Sequence, residues 1–328
     1  EVGWLMAHLV EPKEGEEIYD PACGSGGLLI KCQLVLKDKN GKEKVPLRLY
    51  GQELNPVTYA MGRMNMFIHD MEGEIKVGDT LKNPKFLHVN ALKRFSKVTA
   101  NPMWNQKEYT ADFYKGDSYN RFLFGMPPNN TADWGWIQHM FASLKGKGKL
   151  VVVIDTGTVS RGSGKQGSDK EKEIRKKFVD NDYLEAVTLL PENLFYNTTA
   201  AGNIIVMNKD KKHKGQILLI NASKEFLKER PKNYLTDEGI SKVVDAYKNW
   251  KEVDRFSKII TNEEAVRNDY NLSPSRYVAI DSGEEFTPID ECLVELAQVE
   301  EDRRTIDSQL DSILKKIGFG GYVNHGNS

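Results

Sequence analysis

The chain has 328 residues, enough for one large domain or two modest ones, and its 39% apolar and 28% charged residues are the balance of a globular protein. A net charge of -1 gives it no strong field for nucleic acid, so any such attraction must come from a local patch or a partner. Three cysteines (Cys23, Cys32, Cys292) without paired or metal-like spacing, and six histidines with no H-x-x-x-H pair, argue against a disulfide framework and a metal site and suit a reducing cytoplasm.

No apolar run approaches the ~20 residues of a membrane-spanning helix. The opening EVGWLMAHLV reads as an amphipathic helix entered part-way, as expected of a piece of a longer chain. EEIYD (16–20) predicts a strand, and GLLIKCQLVLKD (27–38) follows with helical spacing. LRLYGQEL (47–54) predicts a second strand, and PVTYAMGRMNMFIHDM (56–71) a helix with proline at its start. IKVGD (75–79), FSKVTA (95–100) and KLVVVID (149–155) read as further strands. This alternation argues for an α/β fold with a parallel sheet and helices on both faces.

The irregular stretch from Asn105 to Asp133 is long enough to have a job or to move. Within it, MPPNN (126–130) leads into a helix, ADWGWIQHM, whose Trp134 and Trp136 read as core residues. RGSGKQGSDKEK (161–172) reads as a basic loop, either solvated or touching phosphates. Ser168 and Glu171 form a candidate capping box for the helix that follows. YLEAVTLLP (183–191) and GNIIVMNKD (202–210) are strands joined by a link too short for a helical crossover, which predicts an antiparallel pair. QILLINAS (216–223) adds another strand. The tail changes character: TDEGISKVVDAYKNW (236–250) is helical and NDYNLSPSRYV (268–278) extended. A long helix from about Ile289 to Ile317 carries a heptad-like seam of Val299, Arg303, Ile306, Leu310, Ile313 and Ile317. The expected division is therefore a core at 1–230 and a helical tail at 231–328.

DPACGSGG, Asp20 to Gly27, is the strongest local signal. A strand ends in an acid, a glycine-rich turn follows, and a helix begins with free N–H groups. The dinucleotide fingerprint G-x-G-x-x-G is not matched, and no phosphate-loop G-x-x-x-x-G-K-[ST] is present. The turn suits S-adenosylmethionine, whose ammonium Asp20 could meet; the alternative is a purely structural turn. Glu53 ends the second strand, where an acid takes ribose hydroxyls in nucleoside-binding doubly wound folds, although a solvated helix-start acid reads equally well. Asp79 in VGDTL follows the third strand and could accept from an adenine amino group or act as a turn acid. As a set, these acids mark one edge of the sheet, where ligands bind in open α/β folds.

Asn-Pro occurs at Asn55-Pro56, Asn83-Pro84 and Asn101-Pro102, so the dipeptide alone says little. Only Asn101-Pro102-Met103-Trp104 follows a strand and places an aromatic at the fourth position. An exocyclic amine is a poor nucleophile because its lone pair is delocalised into the ring. An Asn oxygen and a backbone carbonyl that each accept one N–H steer the nitrogen toward tetrahedral geometry, while the aromatic stacks on the base. Positioning then dominates, since a sulfonium leaves readily.

In this order, DPACGSGG, GQELNP, GDTL and ANPMWN resemble the amino-group DNA methyltransferases that modify adenine N6. YLEAVTLLPENLFYNTTAAGNIIVMNK and NDYNLSPSRYV, with the terminal helix, look like the modification subunit of type I restriction-modification systems, so the resemblance covers nearly the whole chain. It implies a doubly wound, mostly parallel seven-stranded sheet of the S-adenosylmethionine-dependent methyltransferase type, with an antiparallel last strand and a C-terminal helical extension. It also implies cofactor contacts at Asp20, Ala22, Gly24, Gly26, Glu53 and Asp79, and a target-amine motif at Asn101, Pro102 and Trp104. Met103 departs from the family pattern, in which a second proline is usual. In that family a helical domain and an aromatic/Thr-Pro motif precede the core, and Glu1 would lie just after them.

The expected activity is methyl transfer from S-adenosylmethionine to adenine N6 in double-stranded DNA, in the cytoplasm. The expected partners are a DNA-specificity subunit, which packs on the terminal helix, and a restriction (translocase/nuclease) subunit; no membrane is involved. Methylation of a protein glutamine amide and a non-catalytic scaffold are the alternatives.

Overall fold

The computed structural model describes residues 1–40, 45–164, 169–196, 198–279, 303–310 and 312–316. Its main sheet is built from β1 (Glu17–Asp20), β2 (Arg48–Glu53), β3 (Gly73–Val77), β4 (Phe95–Ala100), β5 (Leu144–Asp155), β6 (Leu184–Leu189), β7 (Gly202–Asn208), β8 (Gln216–Asn221) and β9 (Ser257–Thr261). The nine strands lie in the order β9-β8-β6-β7-β5-β4-β1-β2-β3. From β3 through β5 all neighbours are parallel. β7 inserts antiparallel between β5 and β6, as the short link predicted. All eight strands read from the sequence are present, QILLINAS among them as β8, and the sheet has nine strands rather than seven because β8 runs parallel to β6 and β9 antiparallel to β8.

The helices are α1 (Val2–Val10), α2 (Gly27–Asn40), α3 (Pro56–Ile68), α4 (Ala111–Lys115), α5 (Asp133–Ala142), α6 (Lys170–Asp180), α7 (Asp237–Lys248), α8 (Asn262–Arg267) and α9 (Pro274–Tyr277). β5 shows how the core is divided. Its side chains alternate with period two, so Val151 and Val153 join one cluster with Leu5, Leu29 and Val243, while Leu150, Val152 and Ile154 join another with Trp134, Ile137 and Phe178. α5 is buried on every side from Asp133 to Phe141, and Trp134 is completely covered. The core reading of both tryptophans holds.

Local chemistry sets the helix starts. Asn55 caps α3 by accepting from the amides of Val57 (2.9 Å) and Thr58 (3.3 Å), with Pro56 in the first turn, so this Asn-Pro is a helix entry. α6 is capped by Asp169, which accepts from Glu171 and Lys172, both at 3.0 Å; the expected cap Ser168 lies outside the described residues. The 105–133 stretch is more ordered than its composition suggested. It contains α4, and Tyr109, Tyr114 and Phe122 form a small core with Leu81 and Trp136. The 268–278 segment ends in α9 rather than running extended throughout, because Pro274 opens a helical turn.

By contacts the chain divides into Glu1–Ile280 and Asp281–Ser328, not at 230. The reason is that β9 completes the sheet and α7 buries Ile240, Val243 and Ala246 against the core. In the second unit, 303–310 and 312–316 are helical, with Ile306, Leu310 and Ile313 exposed, while Val299 and Ile317 of the expected seam lie outside the described residues. Among the described residues no helix is long and apolar enough to cross a membrane.

Arg175 on α6 fastens the late segment to the sheet. Fully buried, it donates to the carbonyls of Tyr270 (2.6 Å), Thr158 (3.1 Å) and Arg161 (3.0 Å) and to Ser163 Oγ (2.8 Å). Arg175→Met keeps length but strands those acceptors, and is expected to lower unfolding free energy by about 3 kcal/mol in urea titrations.

Candidate active site

β1, β2, β3 and β4 are parallel neighbours, so their C-terminal ends deliver Asp20, Glu53, Asp79 and Asn101 to one edge of the sheet. Between Asp20 and α2 the chain makes a tight turn closed by the Gly26 amide on the Cys23 carbonyl at 2.8 Å. Gly24 and Gly26 adopt φ of 54° and 77°, the left-handed region that glycine enters without strain. A Cβ at Gly24 would meet nothing within 4 Å, so the turn opens onto free space at that point. Ala22 is half-buried, and its amide donates to Asp20 Oδ1 at 3.0 Å. Asp20 is only 2% exposed, and burial, with Glu53 nearby adding to it and the Ala22 bond opposing it, pushes its carboxyl up to about 8.

Glu53 links two strand ends. Its Oε2 accepts from the Gly24 amide at 2.9 Å and its Oε1 from the Asn55 amide at 2.8 Å. Each carboxylate oxygen keeps a second lone pair for another donor. Asp79 sits in its own turn, where Oδ1 accepts from the Lys82 amide at 3.0 Å. The Tyr109 hydroxyl also donates to it, at 3.3 and 3.4 Å to the two oxygens. Tyr109 comes from the 105–133 stretch, and sequence pattern gave no sign of that contact.

At the end of β4, Asn101 is exposed, Pro102 buried and Met103 71% exposed. The corner opens onto a cavity of about 690 Å³ whose lining includes Asn101, Pro102, Trp104, Asp155, Phe195 and Lys232. Trp104 is wedged edge-on against Phe195, with ring centroids 4.8 Å apart. Gly202, the first residue of β7, leaves the room: a Cβ there would stand 2.8 Å from Trp104 Cη2. Thus the four strand ends share one edge of the sheet, with Asp20 and Glu53 meeting at the glycine turn, while the cavity at the corner is lined by none of the three acids but by Asn101 and Trp104. Asp155, Phe195 and Gly202 join them from later strands and loops. Their only signal in the sequence was position beside strand ends, visible once the sheet order is known. Among the described residues no cluster suited to a metal is present.

The sheet order, with one reversed strand beside β5, and the row of acids define an α/β fold shared with solved methyltransferase subunits. One is the type I restriction-modification methyltransferase subunit from Streptococcus thermophilus, with a TM-score of 0.74 and 31% identity, over 84% of this chain and 58% of that one. The EcoKI M protein shares the fold at a TM-score of 0.65 and 18% identity, over 98% of this chain and 73% of that one. The N-6 DNA Methylase family model matches residues 1–287, and the chain belongs to that family. The MjaVIII methylase subunit of Methanocaldococcus jannaschii is 42% identical over 90% of this chain and 51% of its own length. The HindI methylase subunit of Haemophilus influenzae is 30% identical over 97% of this chain and 71% of its own. The chain spans about half the length of the first of these relatives.

Gly202→Ala places a methyl group against a rigid ring. It is expected to cost about 1–3 kcal/mol in denaturant titrations and to shift tryptophan emission as Trp104 is displaced.

Proposed function

We propose that this chain transfers a methyl group from S-adenosylmethionine to adenine N6 in double-stranded DNA, as the methylating part of a type I restriction-modification assembly in the cytoplasm. The observation that carries the reading is the Asn101-Pro102-x-Trp104 corner opening onto the 690 Å³ cavity, beside the acid-lined turn on the neighbouring strand. Membership of the N-6 DNA Methylase family favours adenine over a glutamine amide as acceptor.

The residues present fit the cofactor. A buried acid, Asp20, suits an ammonium; the two oxygens of Glu53 suit a pair of ribose hydroxyls; the space above Gly24 lets a ligand approach backbone. Gly26 shapes the turn and Ala22 holds Asp20, while Asp79, steadied by Tyr109, offers an acceptor to an adenine amino group. When bound, S-adenosylmethionine supplies an electrophilic methyl group on a sulfonium that leaves readily. Asn101 Oδ1 and the Pro102 carbonyl then each accept one N–H of the target amine, aiming its lone pair. Trp104, backed by Phe195, gives a flipped base an aromatic wall. Pro102 supplies both the carbonyl and the stiffness, so Met103 on the exposed rim changes neither.

The unit Glu1–Ile280 carries this chemistry, and the unit from Asp281 on carries partner contact, with the exposed seam of Ile306, Leu310 and Ile313 supporting a helix-to-helix interface with a specificity subunit. Sequence choice rests with that subunit, and a restriction subunit completes the assembly.

Asn101→Ala is expected to abolish labelling of adenine by methyl-labelled cofactor while cofactor affinity stays within twofold. The assay uses the full-length protein with its specificity subunit and duplex DNA of varied sequence. No label on adenine with any partner, despite bound cofactor, overturns the reading. The raised Asp20 carboxyl adds a pH signature. In the free protein burial pushes the Asp20 carboxyl up to about 8, and a cationic ammonium demands the carboxylate. Cofactor binding therefore releases a proton, and affinity climbs up to about tenfold per pH unit toward pH 8 before flattening. Calorimetry in buffers of different ionisation enthalpy reads the proton, and Asp20→Asn should remove the slope.

A further inference from the structure

Beside the cavity lies a cluster of three acids around one half-buried arginine. Arg161 lies just after the turn that follows β5, in the stretch whose sequence suggested a solvated basic loop. Instead its guanidinium is surrounded by carboxylates. Nε donates to Glu171 at 2.5 Å, NH1 to Asp155 at 2.6 Å and NH2 to Asp133 at 2.7 Å. The three acids come from α6, the end of β5 and the start of α5. Gly157 makes room for the fork: a Cβ there would stand 2.3 Å from NH1.

Two of these partners reach the target-amine corner. Asp133, fully buried, accepts the Asn105 amide on Oδ1 at 2.9 Å, while its Oδ2 takes Arg161 and the Thr158 hydroxyl at 3.1 Å. Arg161 NH1 also donates to Asn105 Oδ1 at 3.4 Å. Asn105 directly follows Trp104 and holds a φ of 54°, unusual for a residue with a side chain. Asp155 lines the cavity together with Asn101.

We infer that Arg161, acting through Asp133, is a positioning residue for the Asn101–Trp104 corner: it grips Asn105 from both backbone and side chain and so fixes where the corner leaves the sheet. The fork geometry matters as much as the charge, because one guanidinium satisfies three acids from three elements at once. Without it, three carboxylates face one another across a small buried space, and Asp133 is no longer oriented toward Asn105. The catalytic consequence rests on the methyl-transfer reading above; the grip itself does not.

The test uses the full-length protein with its specificity subunit, and variants Arg161→Gln, Arg161→Lys and Asp133→Asn. Hydrogen exchange at the Asn105 amide reads the grip without any activity. It is expected to quicken at least tenfold in Arg161→Gln and Asp133→Asn, with core strands such as β5 unchanged. Single-turnover methyl transfer, scaled to bound cofactor, reads the consequence. A drop of at least tenfold is expected in Arg161→Gln with cofactor affinity within twofold, and partial recovery in Arg161→Lys. Unchanged exchange at Asn105 in Arg161→Gln overturns the inference. So does a rate loss that lost cofactor binding or general unfolding explains entirely, seen as faster exchange throughout β5. If wild-type protein labels no adenine, the functional reading fails by itself, and the exchange result still decides whether Arg161 positions the corner.

Discussion

The hydrogen bond from the Gly24 amide to the Glu53 carboxylate ties the glycine turn after β1 to the end of β2, and this edge of the sheet depends on it. The turn after β1 has few side chains of its own, so its shape is set from outside. Glu53 pins it from β2, Asn65 of α3 donates to the Ser25 carbonyl at 2.9 Å, and Thr80 donates to the Pro21 carbonyl at 2.5 Å. α3 comes this close because Gly62 faces the turn; a Cβ there would stand 3.1 Å from the Gly24 carbonyl. The ends of β2 and β3, together with α3, therefore hold one turn, in which Asp20 is buried. The same burial that shapes the turn raises the Asp20 carboxyl.

The Asn101–Trp104 corner is held by a different means. The pairing of β4 with β5 ends at Ala100, so the corner depends on contacts from distant sequence. Gly202 and Phe195 set the tryptophan from one side, and Asp133 and Arg161 hold the next residue from the other. Aromatic packing and charge-assisted hydrogen bonds are both directional, and together they define a corner that a dipeptide cannot define alone. Arg175 extends this bracing to the late segment by binding the carbonyls of Thr158, Arg161 and Tyr270.

Much of this was legible in the chain. Strand and helix order followed from apolar periodicity, and the reversed β7 followed from the length of its link to β6. The acids and the Asn-Pro corner were legible because each sits where a strand stops. Other features were not. The 105–133 stretch looked irregular, yet Tyr109 reaches Asp79 and Asp133 reaches Asn105, contacts between residues far apart in sequence. The basic look of 161–172 suggested solvent, but Arg161 turns inward because three acids converge on it from elsewhere. The boundary at 230 came from a change of composition, whereas β9 returns to the sheet and carries the compact unit on to Ile280.

By itself, then, the sequence determined the alternating elements, the glycine turn and the residue types that could meet a cationic nucleoside and an amine, because periodicity and backbone permissiveness are local properties. Only the tertiary structure decided that β7 carries a glycine under Trp104, that Asp20 is buried enough to push its carboxyl up, and that Arg161 meets three acids beside Asn105. Those outcomes depend on burial and on neighbours supplied by other strands, and neither quantity exists until the sheet has assembled.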